Sequence, residues 1–204
     1  MTSGDQMRNR IVPFYVVCDE SYSMVDHVAP MNDVLRELRE GILADPALAE
    51  TARLCMIGFS DSARVVVPLC KTDELTETID PQASAASNFT AVFALLRATI
   101  ERDIAALHAD SHQVHRPTVI FLSDGQATDP ALWSASYQRL IDPSWAARPR
   151  IVALEVGDAD IATIRRIGTV LPVFSCGGFI STGSPRDRLR IFLGGVADAV
   201  GDPV

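Results

Sequence analysis

A chain of 204 residues, 48% of them hydrophobic and carrying a formal net charge of -8, can fill one sizeable core and has little attraction for a nucleic-acid backbone or an anionic membrane. No uninterrupted apolar run is long enough to span a bilayer, and Met1 to Arg10 is polar, so it reads as a disordered tail rather than a secretory signal, ahead of one domain over residues 11–204. Cys18, Cys55, Cys70 and Cys176 form no Cys-x-x-Cys pair, which points to reduced thiols and, with the rest of the composition, to a cytoplasmic protein.

In chain order, Ile11 to Cys18 is a continuous apolar run and reads as a buried strand. Met31, Val34, Leu35, Leu38, Ile42 and Leu43 form a helical stripe that stops at Asp45-Pro46. Arg53 to Phe59 is a second strand. The three residues Ser60 to Ser62 then lead into a valine-rich strand, Arg64 to Leu69. Three residues cannot make a parallel crossover, so these strands form an antiparallel hairpin, and Pro68 places the second of them at a sheet edge. Lys71 to Ile79 reads as a short helix, Asp80 to Asn88 as a polar loop, and Thr90 to Leu107 as the longest helix. A polar connector, Asp110 to Arg116, precedes the apolar strand Pro117 to Leu122. Helix Ala131 to Leu140, strand Arg150 to Val156, helix Ile161 to Ile167, strand Val170 to Phe174 and a closing helix from Pro185 to Val200 complete the chain. This alternation predicts an α/β, Rossmann-like, doubly wound and mainly parallel sheet with one antiparallel edge strand and helices on both faces.

Two strands end in an acid. Cys18 runs into Asp19-Glu20-Ser21-Tyr22-Ser23-Met24, and Leu122-Ser123 runs into Asp124-Gly125. Ligands of open α/β sheets bind at the carboxyl ends of strands, so the two carboxylates converge if these strands are neighbours. Asp19, Ser21 and Ser23 offer hard oxygen donors suited to Mg²⁺, Mn²⁺ or Ca²⁺. Thr90, which opens the long helix, adds a hydroxyl that can face the same edge. Each piece also has a plain structural reading: Ser, Thr and Asp cap helices, and Asp-Gly makes turns. His108, His112 and His115 lack a third partner of metalloprotease type and read as a solvated helix end, while Trp133, Tyr137 and Trp145 read as core.

Asp19-x-Ser21-x-Ser23, Thr90 and Asp124-Gly125, in this order and strand context, resemble the metal-ion-dependent adhesion site (MIDAS) of von Willebrand factor A (vWA) domains. The stretches Asp19 to Met24 and Leu122 to Asp129 look most like the bacterial branch related to the tellurite-resistance protein TerY. The resemblance implies a six-stranded sheet whose third strand is the antiparallel edge. It implies a divalent cation, Mg²⁺ or Mn²⁺ ahead of Ca²⁺, held by Asp19, Ser21, Ser23, Thr90 and Asp124. It also implies a protein partner that supplies an acidic residue to the cation, in a stress-response or tellurite-resistance setting. Ser87-Asn88-Phe89 departs from the glycines usual before the threonine, and Asn88 is the residue able to adopt a left-handed conformation in their place. The expected function is therefore a metal-dependent protein-binding module and not an enzyme. The alternative is a Mg²⁺-dependent phosphohydrolase using Asp19, against which stands Ser21 where a second acid would serve.

Overall fold

The computed structural model describes residues 10–75, 78, 86–170, 174–175 and 204. Strand β1 (Arg10–Asp19) is followed by a 3-10 turn (Tyr22–His27), helix α1 (Val28–Leu43), the short α2 (Pro46–Thr51), β2 (Ala52–Phe59) and β3 (Ala63–Lys71). Helix α3 (Phe89–Ala109), β4 (Gln113–Val114), β5 (Thr118–Ser123), α4 (Trp133–Leu140), β6 (Arg150–Glu155), α5 (Ile161–Ile167) and β7 (Phe174–Ser175) follow.

The main path of the sheet runs β3-β2-β1-β5-β6-β7, with β1 in its interior. Every pairing is parallel except β2 with β3, so the hairpin places its antiparallel strand at the edge as its three-residue turn requires. Strand order reverses across β1. Its neighbours are β2 on one side and β5 on the other, which is the topological switch that opens a crevice at the carboxyl edge.

The apolar run of β1 has no polar alternation because both its faces are covered. Phe14, Val16 and Cys18 point into a core with Met31, Val34, Leu35, Leu38 and Ile42 of α1. Tyr15 and Val17 point to the opposite face, against Phe89, Val92, Phe93 and Leu96 of α3 and Trp133 and Tyr137 of α4. Phe89 is fully buried and stands edge-on to Phe59, Phe93, Phe121 and Trp133, with centroids 5.6, 5.9, 5.6 and 6.0 Å away. It anchors the first turn of α3 to the sheet beneath. Cys18 and Cys55 are buried thiols outside any disulfide, and burial pushes Cys55 up to about 12, so it stays protonated.

Some elements differ from the sequence reading. The connector Asp110 to Arg116 contains β4, which pairs with Arg10 and Ile11 of β1 as a strand beside the main path. This pairing draws His115 inward: it is 2% exposed and its N–H bonds the Ile11 carbonyl at 2.8 Å, so it is not part of a solvated helix end. His108 is exposed as expected. In place of the helix expected over Lys71 to Ile79, β3 continues to Lys71, a 3-10 turn spans Thr72–Glu74 and Leu75 is extended, while residues 76, 77 and 79 lie outside the described residues. In the stretch read as a strand from Val170 to Phe174, the described pairing lies at Phe174 and Ser175. The expected N-terminal tail up to residue 9, most of the loop read from Asp80, Cys176 and the closing helix from Pro185 to Val200 lie outside the described residues.

Candidate metal centre

Asp19 is the last residue of β1 and is 0% exposed. Its Oδ2 accepts from Ser123 Oγ at 2.7 Å, and its Oδ1 accepts from the Ser21 N–H at 3.1 Å and from Ser87 Oγ at 3.4 Å. The 3-10 turn then curls Ser21 and Ser23 to the same side, with their Oγ atoms 3.1 Å apart. Met24 fixes this turn from below: its side chain is fully buried and its N–H bonds the Ser21 carbonyl at 2.9 Å. Asp124 follows β5, the strand beside β1, and its Oδ1 accepts from the Gln126 N–H at 2.9 Å. Gly125 makes the turn with φ +76, where a Cβ would lie 2.8 Å from the Asp160 carbonyl oxygen, so only glycine suits both the dihedral and the space.

Thr90 lies in the first turn of α3. Its Oγ1 and its N–H both donate to Asp129 Oδ2, while the Phe89 N–H donates to Asp129 Oδ1 at 3.0 Å. A carboxylate thus sits at the positive end of α3 and orients the threonine hydroxyl, whose lone pairs are left to accept or coordinate. Asn88 is the residue that caps α3, accepting from the Ala91 N–H at 2.9 Å. Its φ of -83 corrects the expectation of a left-handed Asn88. The departure from the glycine pattern has its reason in packing, since Phe89 is committed to the aromatic core.

The loops of the carboxyl edge form a linked ring. Asn88 N–H bonds the Ser60 carbonyl at 2.8 Å, Thr128 N–H bonds Ser87 O at 3.0 Å, and Asp160 N–H bonds Asp124 O at 2.7 Å. A Cβ on Gly157 would lie 2.3 Å from His27 Nε2, so the 3-10 turn lies directly on the loop after β6. The Ser123–Asp19 bond ties the ring to its centre.

Of the five residues singled out in the sequence, Asp19, Ser21 and Ser23 form one bonded cluster, and Asp124 is close enough for its charge to act on Asp19. Thr90 joins them through Asp129, Thr128 and Ser87. Asp19, Ser21 and Asp124 are buried, Thr90 is partly so, and Ser23 is exposed. Burial pushes the Asp19 carboxyl up to about 6; Asp124 adds to the rise, while bonds from Ser21 and Ser123 oppose it. A desolvated carboxylate beside a second acid, surrounded by neutral hydroxyls, is a donor set that fits a hard divalent cation. Among the described residues no three His, Cys, Asp or Glu side chains group as a metal site, so any cation here would depend on the hydroxyls.

Ser87, Ser123 and Asp129 were not singled out from the sequence. Ser123 is recognisable in retrospect as a hydroxyl one residue before Asp124 on a strand end, and Asp129 as the second acid of the same loop. Ser87 carries no local signal, because its role depends on how the loop before α3 folds back.

Solved structures share this architecture. The fold is that of von Willebrand factor A-type domains. Proximal thread matrix protein 1 of the mussel byssus, in a structure with a zinc-occupied MIDAS motif, superposes with a TM-score of 0.60 at 14% identity, over 92% of this chain and 48% of its own. The pilus adhesin SpaC of Lactobacillus rhamnosus GG gives 0.64 at 12% identity, over 94% of this chain and 30% of its own. BatB of Bacteroides thetaiotaomicron gives 0.58 at 12% identity, over 94% of this chain and 100% of its own. The chain therefore spans about half the length of the byssus protein. At these identities the likeness is one of fold, and it does not reach the TerY branch. No family model matches the sequence, and no curated protein matches it significantly.

Proposed function

We propose that this chain is a divalent-cation-dependent protein-binding module rather than an enzyme. Mg²⁺ or Mn²⁺ would be held by Asp19, Ser21, Ser23, Thr90 and Asp124, and an acidic residue of a protein partner would take the remaining coordination position. The observation that carries this reading is the buried Asp19 carboxylate, bonded to the Ser21–Ser23 turn and under the charge of Asp124, at the sheet's carboxyl edge. The zinc-occupied MIDAS of the byssus protein supports it, since the same fold there holds a divalent cation. Bound there, the cation supplies a local positive charge on an acidic surface, which turns repulsion of a partner's carboxylate into attraction.

The surroundings suit docking. Of the exposed large apolar side chains among the described residues, Tyr22 (69%) and Val25 lie on the 3-10 turn, Leu132 (67%) follows the Asp129 loop, and Ile161 follows Asp160. All four flank the linked ring of loops, where a partner would bury them. Asp19 itself is fully enclosed, a poor position for a nucleophile that must reach a phosphoryl group. The sequence resemblance suggests a stress-response or tellurite-resistance type of assembly as the setting.

Affinity capture with the purified chain, in Mg²⁺ and in EDTA, followed by binding assays on the recovered protein, tests the proposal. Binding should need the cation and should be lost in Asp19→Asn and when the partner's acid is replaced. A partner held equally well in EDTA and by Asp19→Asn would place the interaction surface elsewhere.

A further inference from the structure

Next to Asp19 is a second acid that the metal site does not use. Glu20 has a side chain only 2% exposed, and its carboxylate receives the Arg64 guanidinium in two bonds, Nη1 to Oε2 at 2.5 Å and Nη2 to Oε1 at 3.2 Å. Its N–H bonds the carbonyl of Phe59, the last residue of β2, at 2.8 Å. Arg64 stands directly across from Gly58 in the antiparallel β2–β3 register, and Gly58 pairs with Cys18 of β1. A Cβ on Gly58 would lie 2.3 Å from Glu20 Oε2 and 2.5 Å from both Cδ and Oε1. The dihedral of Gly58 is not left-handed, so what glycine provides there is room for the Glu20 carboxylate, which an alanine would displace.

We infer that Glu20, seated in the slot opened by Gly58 and gripped by Arg64, is a positioning residue that sets the first metal loop and so the cation affinity of the site. The inference rests on the metal-binding reading above. A buried carboxylate without a partner would add a second uncompensated charge beside Asp19, and Arg64 neutralises it in a bidentate pair. The same pair ties the Asp19–Ser21 segment sideways to the edge strand β3, on the opposite side of β1 from β5, where Ser123 holds Asp19. Held between these two grips, the loop has the backbone course that brings the Ser21 N–H to Asp19 Oδ1 and the Ser21 hydroxyl to Ser23. Arg64 remains 44% exposed, so the grip is accessible from solvent while the carboxylate it holds is not.

Mn²⁺ titration calorimetry, paired with thermal unfolding in EDTA, tests this on the whole chain. Glu20→Gln and Arg64→Ala should each weaken Mn²⁺ binding by about 10-fold or more, as loss of an outer-shell partner does. Arg64→Lys should fall between wild type and Arg64→Ala, because a lysine keeps the charge and loses the fork. Gly58→Ala should weaken binding by pushing Glu20 from its slot, and the pair Gly58→Ala/Glu20→Ala should bind no worse than Glu20→Ala alone, since the clash is gone. Unchanged Mn²⁺ affinity in Glu20→Gln and Arg64→Ala, whatever their melting temperatures, would reduce the pair to a structural ion pair and overturn the inference. Fully additive losses in the Gly58/Glu20 pair would overturn the slot. A wild-type chain that binds no Mn²⁺ would instead remove the metal-binding reading itself, and the inference with it.

Discussion

Asp19 is a carboxylate held under electrostatic tension at the centre of the site. Its carboxyl is pushed by burial to about 6, from an ordinary 3.8, against the bonds that Ser21 and Ser123 supply. The folded chain therefore keeps a proton where the unfolded chain has lost it. Stability falls as pH rises from about 4 to about 6, and the cost is complete above that window, on the order of 1–3 kcal/mol. Asp19→Asn removes it. In EDTA at pH 7.5 the variant should be more stable than wild type by that order, and the difference should close near pH 3.5; denaturant unfolding at the two pH values measures both. A variant equally or less stable at pH 7.5 would mean that the buried carboxylate is not under strain. At this scale the sequence was informative where chemistry is local. Asp19, Ser21, Ser23 and Asp124 announce themselves because acids and hydroxyls interrupt apolar runs at strand ends. Ser87 and Asp129 do not, because their partners, Asp19 68 positions away and Thr90 39 positions away, are found only once the loops close.

At the scale of elements, α3 shows how a site residue is placed by a core residue. Phe89 holds the helix start in the aromatic cluster, Asn88 caps it, and Asp129 takes the N–H groups of Phe89 and Thr90. Phe89→Ala should cost about 3–5 kcal/mol, the usual penalty for emptying a buried aromatic position, and should also weaken cation binding because Thr90 shares the displaced turn. Chemical denaturation and Mn²⁺ titration on the same sample check this; a stability loss under about 1 kcal/mol would show that the cluster collapses around the gap. Long periodic elements such as α1 and α3, and the hairpin set by its three-residue turn, were readable in advance. The two-residue β4 and the 3-10 turn after β3 were not. Such short pieces carry no period of their own and follow from what β1 and β3 offer as neighbours.

For the molecule as a whole, the topology makes the site. A reversal of strand order at β1 opens the crevice, the hairpin brings Gly58 and Arg64 to one flank, and β5 and β6 bring Asp124 and Asp160 to the other. The fold gathers Asp19, Asp124, Asp129 and Asp160 at this edge and borders it with the exposed side chains of Tyr22, Val25, Leu132 and Ile161, which the proposed module would bury against its partner. All of this turns on one claim, that the edge holds a divalent cation. Titration calorimetry of the purified chain with Mn²⁺ at pH 7.5, alongside Asp19→Asn and Asp124→Asn variants shown to be folded by circular dichroism, tests it most directly. One site is expected in the wild-type chain, with a loss of at least about 10-fold in affinity in each variant. Equal Mn²⁺ affinity in all three proteins, or none in the wild type, would contradict it.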